Sequence, residues 1–316
     1  MNGEQTDGAT AAPGPDETAV PDAAPWLRSL LFVPASRPEL FAKAAASGAD
    51  AVVLDLEDAV PRDALPEARR HVEQYLRSGA GASHVLVRVN PSWSPDFLAD
   101  LDACVRPGLL GIVVAKVDSP SNMTTAADAL SLLEQRRRVR LGSVRIVPTL
   151  ETAIGIRRSF DIACASPRVA YLGGITARDG DVQRALGFRW SASGLETLAM
   201  RSQLLLDARA AAVPNPVTGV WTDVSDLDGL RSFGQQSRDI GYEGMFVIHP
   251  SHVAVVNEVF SPDDAEQQRY ARLLASYDEA CRRGRTAVAF EGRLIDSAMA
   301  RTARERLAVD RKDPTR

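Results

Sequence analysis

The chain has 316 residues, 45% hydrophobic and 25% charged, with a net charge of −4. This is ordinary globular composition, and with no global basic field it argues against nucleic acid or an anionic membrane as partner. Three cysteines without a close-spaced pair argue against a disulfide framework or a zinc site, and no apolar run is long enough to span a bilayer. Residues 1–24 are rich in Ala, Gly, Pro, Asp and Thr and read as a disordered tail. They lack the basic and apolar regions of a secretory signal, so the cytoplasm is the expected location.

From Trp26 onward, short apolar runs alternate with longer helical stretches. The runs are Ser29–Val33, Ala51–Leu54, His84–Val89, Gly111–Ala115, Val144–Leu150, Val169–Leu172, Ala211–Val220 and Met245–Ile248. The intervening stretches include Pro38–Ser47, Leu65–Arg77, Thr124–Arg137, Ala192–Ala212 and Val224–Gly241, rich in Ala, Leu, Glu and Arg. Strands alternating with helices imply a parallel sheet, and near-continuous apolar strands imply burial on both faces. Eight repeats, with no G-x-G-x-x-G turn, predict a closed α/β (β/α)₈ TIM barrel over residues 25–262. Beyond it, helices over Ser251–Phe260 and Ala265–Arg283, a hairpin turning at Gly292 and a helix over Ser297–Leu307 are expected. Residues 263–316 therefore read as a C-terminal helical and hairpin extension, a lid or an oligomerisation element.

Barrel enzymes carry their chemistry at the C-terminal ends of the strands. The polar residues there are Pro34, Ser36 and Arg37; Asp55, Glu57 and Asp58; Arg88 and Asn90; Lys116 and Asp118; Thr149 and Glu151; Thr176, Arg178, Asp179 and Asp181; Asn215 and Thr218; and His249. Several carboxylates converge with few histidines, which suits a hard, oxygen-seeking cation such as Mg²⁺ rather than zinc or copper. The pair His249 and His252 has no third histidine nearby and makes a poor metal site. Glu151 has two readings at this point, a metal ligand or a first-turn helix glutamate favourable to the dipole. In the sixth loop either Asp179 or Asp181 can be the functional carboxylate, and either can be an N-cap. Arg88 lies between apolar neighbours, so its charge must find a partner. Its fork suits a substrate carboxylate, and the alternative is a structural pair with Asp55 or Glu57.

Five segments occur in a shared order: Leu30-Leu-Phe-Val-Pro34, Asp55-Leu-Glu-Asp-Ala-Val60, Val87-Arg-Val-Asn-Pro91, Pro148-Thr-Leu-Glu-Thr-Ala153 and Ile248-His-Pro250. In this the chain resembles the citrate lyase β-subunit-like family, whose relatives include malyl-CoA and citramalyl-CoA lyases. The resemblance runs from about Arg28 to the C-terminal segment. It implies a (β/α)₈ barrel in trimers or hexamers, with Mg²⁺ held by Glu151 and by the aspartate six residues before a Gly, which is Asp181 and not Asp179. It implies that Arg88 binds the substrate carboxylate, that Phe32 and Lys43 line the CoA-thioester site, and that His249 and Pro250 lie near substrate. Asp55, Glu57 and Asp58 would support the metal or Arg88 from behind. Asp296 matches an aspartate that relatives bring over a neighbouring subunit's active site, where it would exchange a proton with the thioester enolate.

The implied activity is cleavage, or formation, of a 3-hydroxy-carboxyacyl-CoA thioester, giving a 2-oxo acid and an acyl-CoA. The alternatives are an acyl-CoA thioesterase on the same scaffold and an inactive CoA- or carboxylate-binding accessory protein. The sequence departs from relatives at Ala35, in the loop Gly173–Asp181 and in the segment Asn215–Trp221. All three lie around the acyl-acid pocket, so the resemblance leaves the substrate open.

Overall fold

The computed structural model describes residues 24–79, 84–174, 176–191 and 193–310. The expected tail, apart from Ala24, and the last six residues of the expected extension lie outside them. The elements run β1 (Ser29–Pro34), α1 (Phe41–Ala45), β2 (Ala51–Asp55), α2 (Leu65–Ser78), β3 (Val85–Val89), α3 (Phe97–Cys104), β4 (Leu109–Val114), α4 (Pro120–Arg137) and β5 (Arg145–Pro148). They continue with α5 (Ala153–Arg157), α6 (Ser159–Cys164), β6 (Tyr171–Gly173), α7 (Asp181–Leu186), α8 (Leu195–Ala210), β7 (Asn215–Thr218), α9 (Leu227–Ile240), β8 (Gly244–Val247) and α10 (Pro250–Phe260). The chain then forms α11 (Asp264–Arg282), β9 (Val288–Phe290), β10 (Arg293–Ile295) and α12 (Ser297–Asp310).

The first eight strands form one parallel sheet in the order β5-β4-β3-β2-β1-β8-β7-β6. Bridges Ile146↔Val169 and Thr149↔Gly173 join its two edges, so the sheet is a barrel. Side chains alternate across each strand, and the two faces carry different cores. Leu30, Val53, Leu86, Val113, Val147, Tyr171, Val217 and Phe246 fill the interior. Leu31, Val52, Leu54, Val87 and Val89 pack outward against α2, α3 and the other helices. The same alternation carries Asp55 and Arg88 to the inward face at the strand ends, directly opposite each other in register.

Boundaries differ from expectation where local chemistry is strong. Helix α4 starts at Pro120 rather than Thr124, because Ser119 and Asn122 form a reciprocal capping box. The expected strand over Ala211–Val220 shrinks to Asn215–Thr218. Its alanines finish α8, Ala212 turns left-handed at φ 56°, and Pro214 stops the helix. The hairpin turns on Glu291 and Gly292, both at positive φ. It packs with α11 and α12 around Leu273, Tyr277, Ile295, Ala300 and Ala303, an apolar cluster separate from the two barrel cores.

Candidate active site

Strand β2 ends in Asp55, whose carboxylate accepts from the backbone N–H of Glu57 (3.0 Å) and Ala59 (3.3 Å). That turn aims Glu57 and Asp58 over the barrel mouth. Arg88 fills the adjacent inward position. Its Nε and Nη2 each donate to Asp55 at 2.6 Å, and Nη1 lies 3.1 Å from Glu57. The guanidinium stacks 4.8 Å above the Phe32 ring. Burial alone would lower the arginine's pKa, but Asp55, Glu57 and Glu151 outweigh it and raise it. The structural pairing weighed from sequence is therefore present. Three of the five guanidinium N–H groups face these partners, which leaves two for a further ligand.

Lys116 follows the apolar run of β4 and adopts φ 52°, a left-handed backbone that non-glycine residues rarely hold. Its ammonium donates to Glu57 and, at 2.9 Å, to Asp58, and it stands 3.6 Å from Asp181. Burial would lower its pKa, but the two carboxylate hydrogen bonds prevail and raise it. Burial pushes Glu57 up to about 7 against the pull of Arg88 and Lys116. Burial acts the same way on Asp58, where Lys116 prevails and holds the carboxyl below its ordinary value.

Glu151 is buried and accepts from the Thr149 hydroxyl at 2.7 Å. It does not belong to the first turn of a helix. Thr152 is the N-cap of α5, accepting from Gly155 N–H at 3.0 Å, so Glu151 precedes the helix and its side chain is held instead by Thr149. Burial raises the Glu151 pKa, opposed by Thr149 and by the charge of Arg88. In the sixth loop the two aspartates separate. Asp179 is exposed at φ 61°, whereas Asp181 opens α7 and turns inward. Arg184 pairs with it at 2.7 Å. The loop is seated on Gly219, where a Cβ would lie 2.3 Å from the Thr176 carbonyl oxygen and 2.4 Å from its nitrogen.

Oxygens from Asp58, Glu151 and Asp181 all lie within 4.8 Å of one another. Asp58, expected behind the metal ligands, thus stands beside them. Hard carboxylate oxygens converging at this spacing fit an Mg²⁺-type cation that completes its shell with water or substrate. Around them Asp55 and Glu57 add two carboxylates, against the cations Arg88, Lys116 and the exposed Arg184, so the pocket retains an excess of acidic groups that a divalent ion would balance.

Phe32, Lys43 and the adjacent pair His249 and Pro250 line one cavity of about 180 Å³ with Leu31, Val33, Pro34, Leu40, Ala44 and Ile248. Phe32 is thus shared between this cavity and Arg88. His249 caps α10, its Nδ1 accepting from Ser251 N–H at 3.2 Å. His252 is buried with its ring 6.3 Å from that of His249, and no third metal-binding side chain joins them among the described residues. Asp296 caps a helix of the C-terminal extension. It accepts from Ala298 and Met299 N–H at 3.0 Å at the start of α12, and among the described residues it makes no hydrogen bond or ion pair with the rim carboxylates or Arg88. The strand count places Lys116 on the rim but gives it no role, and its contacts with the carboxylates are what sequence reasoning missed. Its only signal was a lysine ending an apolar strand.

Residues 28–250 match the HpcH/HpaI aldolase/citrate lyase family. The chain belongs to that family. The family's description names an aldolase and a citrate lyase, and the barrel with its mouthward carboxylates accords with that. A citrate lyase subunit beta-like protein of Deinococcus radiodurans is 37% identical over 289 residues, covering 89% of this chain and 96% of that one. In Cereibacter sphaeroides, a (3S)-malyl-CoA thioesterase is 32% identical (89% and 93% covered), and an L-malyl-CoA/beta-methylmalyl-CoA lyase is 33% identical (87% and 92% covered). Among solved structures, protein CitE of Mycobacterium tuberculosis in complex with magnesium, acetoacetate and coenzyme A superposes with a TM-score of 0.72 at 28% identity, covering 92% of this chain and 98% of that one.

Proposed function

We propose that this chain is a magnesium-dependent carbon–carbon lyase acting on a 3-hydroxyacyl-CoA thioester that also bears a carboxylate. The observation that carries the reading is the position of Phe32. It lines the Lys43–His249–Pro250 cavity and lies under Arg88, which adjoins the carboxylate cluster. A thioester arm in the cavity would thus place the acyl end at the cluster. The likeness to a structure holding magnesium, acetoacetate and coenzyme A supports the same assignment.

In this reading Glu151 and Asp181 hold Mg²⁺, with Asp58 beside them, and Asp55 and Glu57 fix Arg88. Held there, the ion would supply Lewis acidity to the oxygens of the hydroxy acid. Arg88 directs its two remaining N–H groups to the substrate carboxylate and stabilises the departing 2-oxo acid. Lys43, Phe32, His249 and Pro250 hold the thioester arm. As the carbon–carbon bond breaks, the hydroxyl passes its proton to solvent water and becomes the oxo group, the bonding pair passes to the thioester enolate, and the enolate gains a proton at carbon from a carboxyl that solvent reprotonates, giving the acyl-CoA. Asp296 donates that proton from a neighbouring subunit, with residues 263–316 acting as lid and oligomer contact in a cytoplasmic trimer or hexamer. Among the described residues no helix is long and apolar enough to cross a membrane.

The test is a panel of malyl-, citramalyl- and methylmalyl-CoA thioesters with and without Mg²⁺, following 2-oxo acid and free CoA separately. Oxo-acid release that needs Mg²⁺, and is lost in Glu151→Gln and Asp181→Asn, supports the lyase. Full turnover in either variant would overturn it. The thioesterase relative motivates a second reading, in which free CoA accumulates without oxo acid.

A further inference from the structure

Lys116 has no part in the lyase assignment, yet its ammonium occupies the cluster itself. It contacts Glu57 and Asp58 and stands 3.6 Å from Asp181. Two of these partners, Asp58 and Asp181, are members of the trio whose oxygens converge within 4.8 Å. The backbone at this lysine is held left-handed at φ 52°, a strain of the kind retained at functional positions. The side-chain type is also telling. Of 37 Lys and Arg residues only Lys43, Lys116 and Lys312 are lysine. A guanidinium is a broad planar fork, whereas an ammonium is a compact point charge that can sit where a small cation sits.

We propose that Lys116 is a built-in counter-cation, a positioning residue that competes with the divalent ion for Asp58 and Asp181. Without the ion, its ammonium keeps the two carboxylates drawn together. When the ion enters, the ammonium leaves Asp58 and Asp181 and remains anchored on buried Glu57. Its charge then stays at the rim, where it offsets the carboxylates and eases the approach of an anionic substrate. Lys116 thereby gives up some metal affinity in exchange for acid binding. The inference rests on the metal-site reading above.

The test uses the full-length protein without thioester. Mn²⁺ is titrated by EPR into wild type, Lys116→Met and Lys116→Arg. Lys116→Met should bind Mn²⁺ roughly tenfold tighter, the scale of one unit charge removed at close range in a partly solvated site. In the Mn²⁺-loaded form it should bind pyruvate more weakly. Lys116→Arg, which keeps the charge, should lie closer to wild type on both measures. A purely structural lysine would instead lower stability and weaken both ligands together. Because the variants can fail to fold, the wild type is also labelled with ¹³Cε-lysine. Mg²⁺ should move the Lys116 signal and leave that of Lys43. Mn²⁺ affinity unchanged or weakened in Lys116→Met, or an unmoved Lys116 signal on saturation, overturns the proposal. Failure of wild type to bind Mn²⁺ would instead remove the metal site, and the proposal with it.

Discussion

Replacing Arg88 by Leu removes the cation from a nearly closed ionic pair. The Arg88 side chain is 11% exposed, and those of Asp55 and Glu57 are 2% and 5% exposed. Taking away one partner of such a buried pair leaves uncompensated carboxylates, at a cost of about 3–5 kcal/mol. For a chain of this length that lowers Tm by on the order of 10 °C. Part of the deficit should depend on pH. Burial already holds Glu57 at about 7, and losing the charge of Arg88 raises it further. A carboxyl raised in the folded state contributes stability that is lost as pH rises through its folded value. At pH 5.5 Glu57 is protonated in both proteins, so its share of the deficit is absent. Above pH 7 wild type ionises at lower cost than the variant, and the gap widens. Urea unfolding at pH 5.5 and 8.5 measures this. Asp55→Asn should restore part of the stability in the Arg88 variant while costing stability in wild type. Additive losses in that cycle, or a deficit under about 1 kcal/mol, would refute the account.

Gly219→Ala places a Cβ against the Thr176 backbone, so the loop leading to Asp181 must move. Calorimetry should show a loss of about 1–3 kcal/mol, with weaker Mn²⁺ binding, and no change in either would refute the seating argument. Glu134→Ala strips buried Arg168 of its carboxylate (2.6 and 2.9 Å) and frees the N–H groups of Gly142 and Val144. Denaturant unfolding should register roughly 3–5 kcal/mol, with little effect on substrate KM, because the pair does not involve the rim. Burial raises the Glu151 pKa, and a metal takes the ionised form, so Mg²⁺ binding should expel protons and tighten as pH rises. Titration calorimetry in two buffers of different ionisation heat reads this directly, and proton-neutral binding across the range would count against Glu151 as ligand.

Much of this was legible in the chain. Eight apolar runs separated by helical stretches point to a barrel, because strands buried on both faces need a parallel sheet with helices outside, and eight of them are enough to close it. The strand ends then nominate Asp55, Arg88, Glu151 and the sixth loop, since period-two alternation and direction are local properties. Choosing between Asp179 and Asp181 by residue pattern needed the family resemblance, and the geometry brings Asp181 to the cluster and leaves Asp179 outside it. Three things were decided only by tertiary contact. Asp58 stands beside Glu151, although the two are far apart in sequence. Lys116 reaches across from β4 into the carboxylates of β2. Arg88 is clamped by Asp55, so its charge is already shared before any substrate arrives. Periodicity tells which way a side chain points. Which charges neutralise which depends on distances of a few ångströms between strands that meet only when the barrel closes.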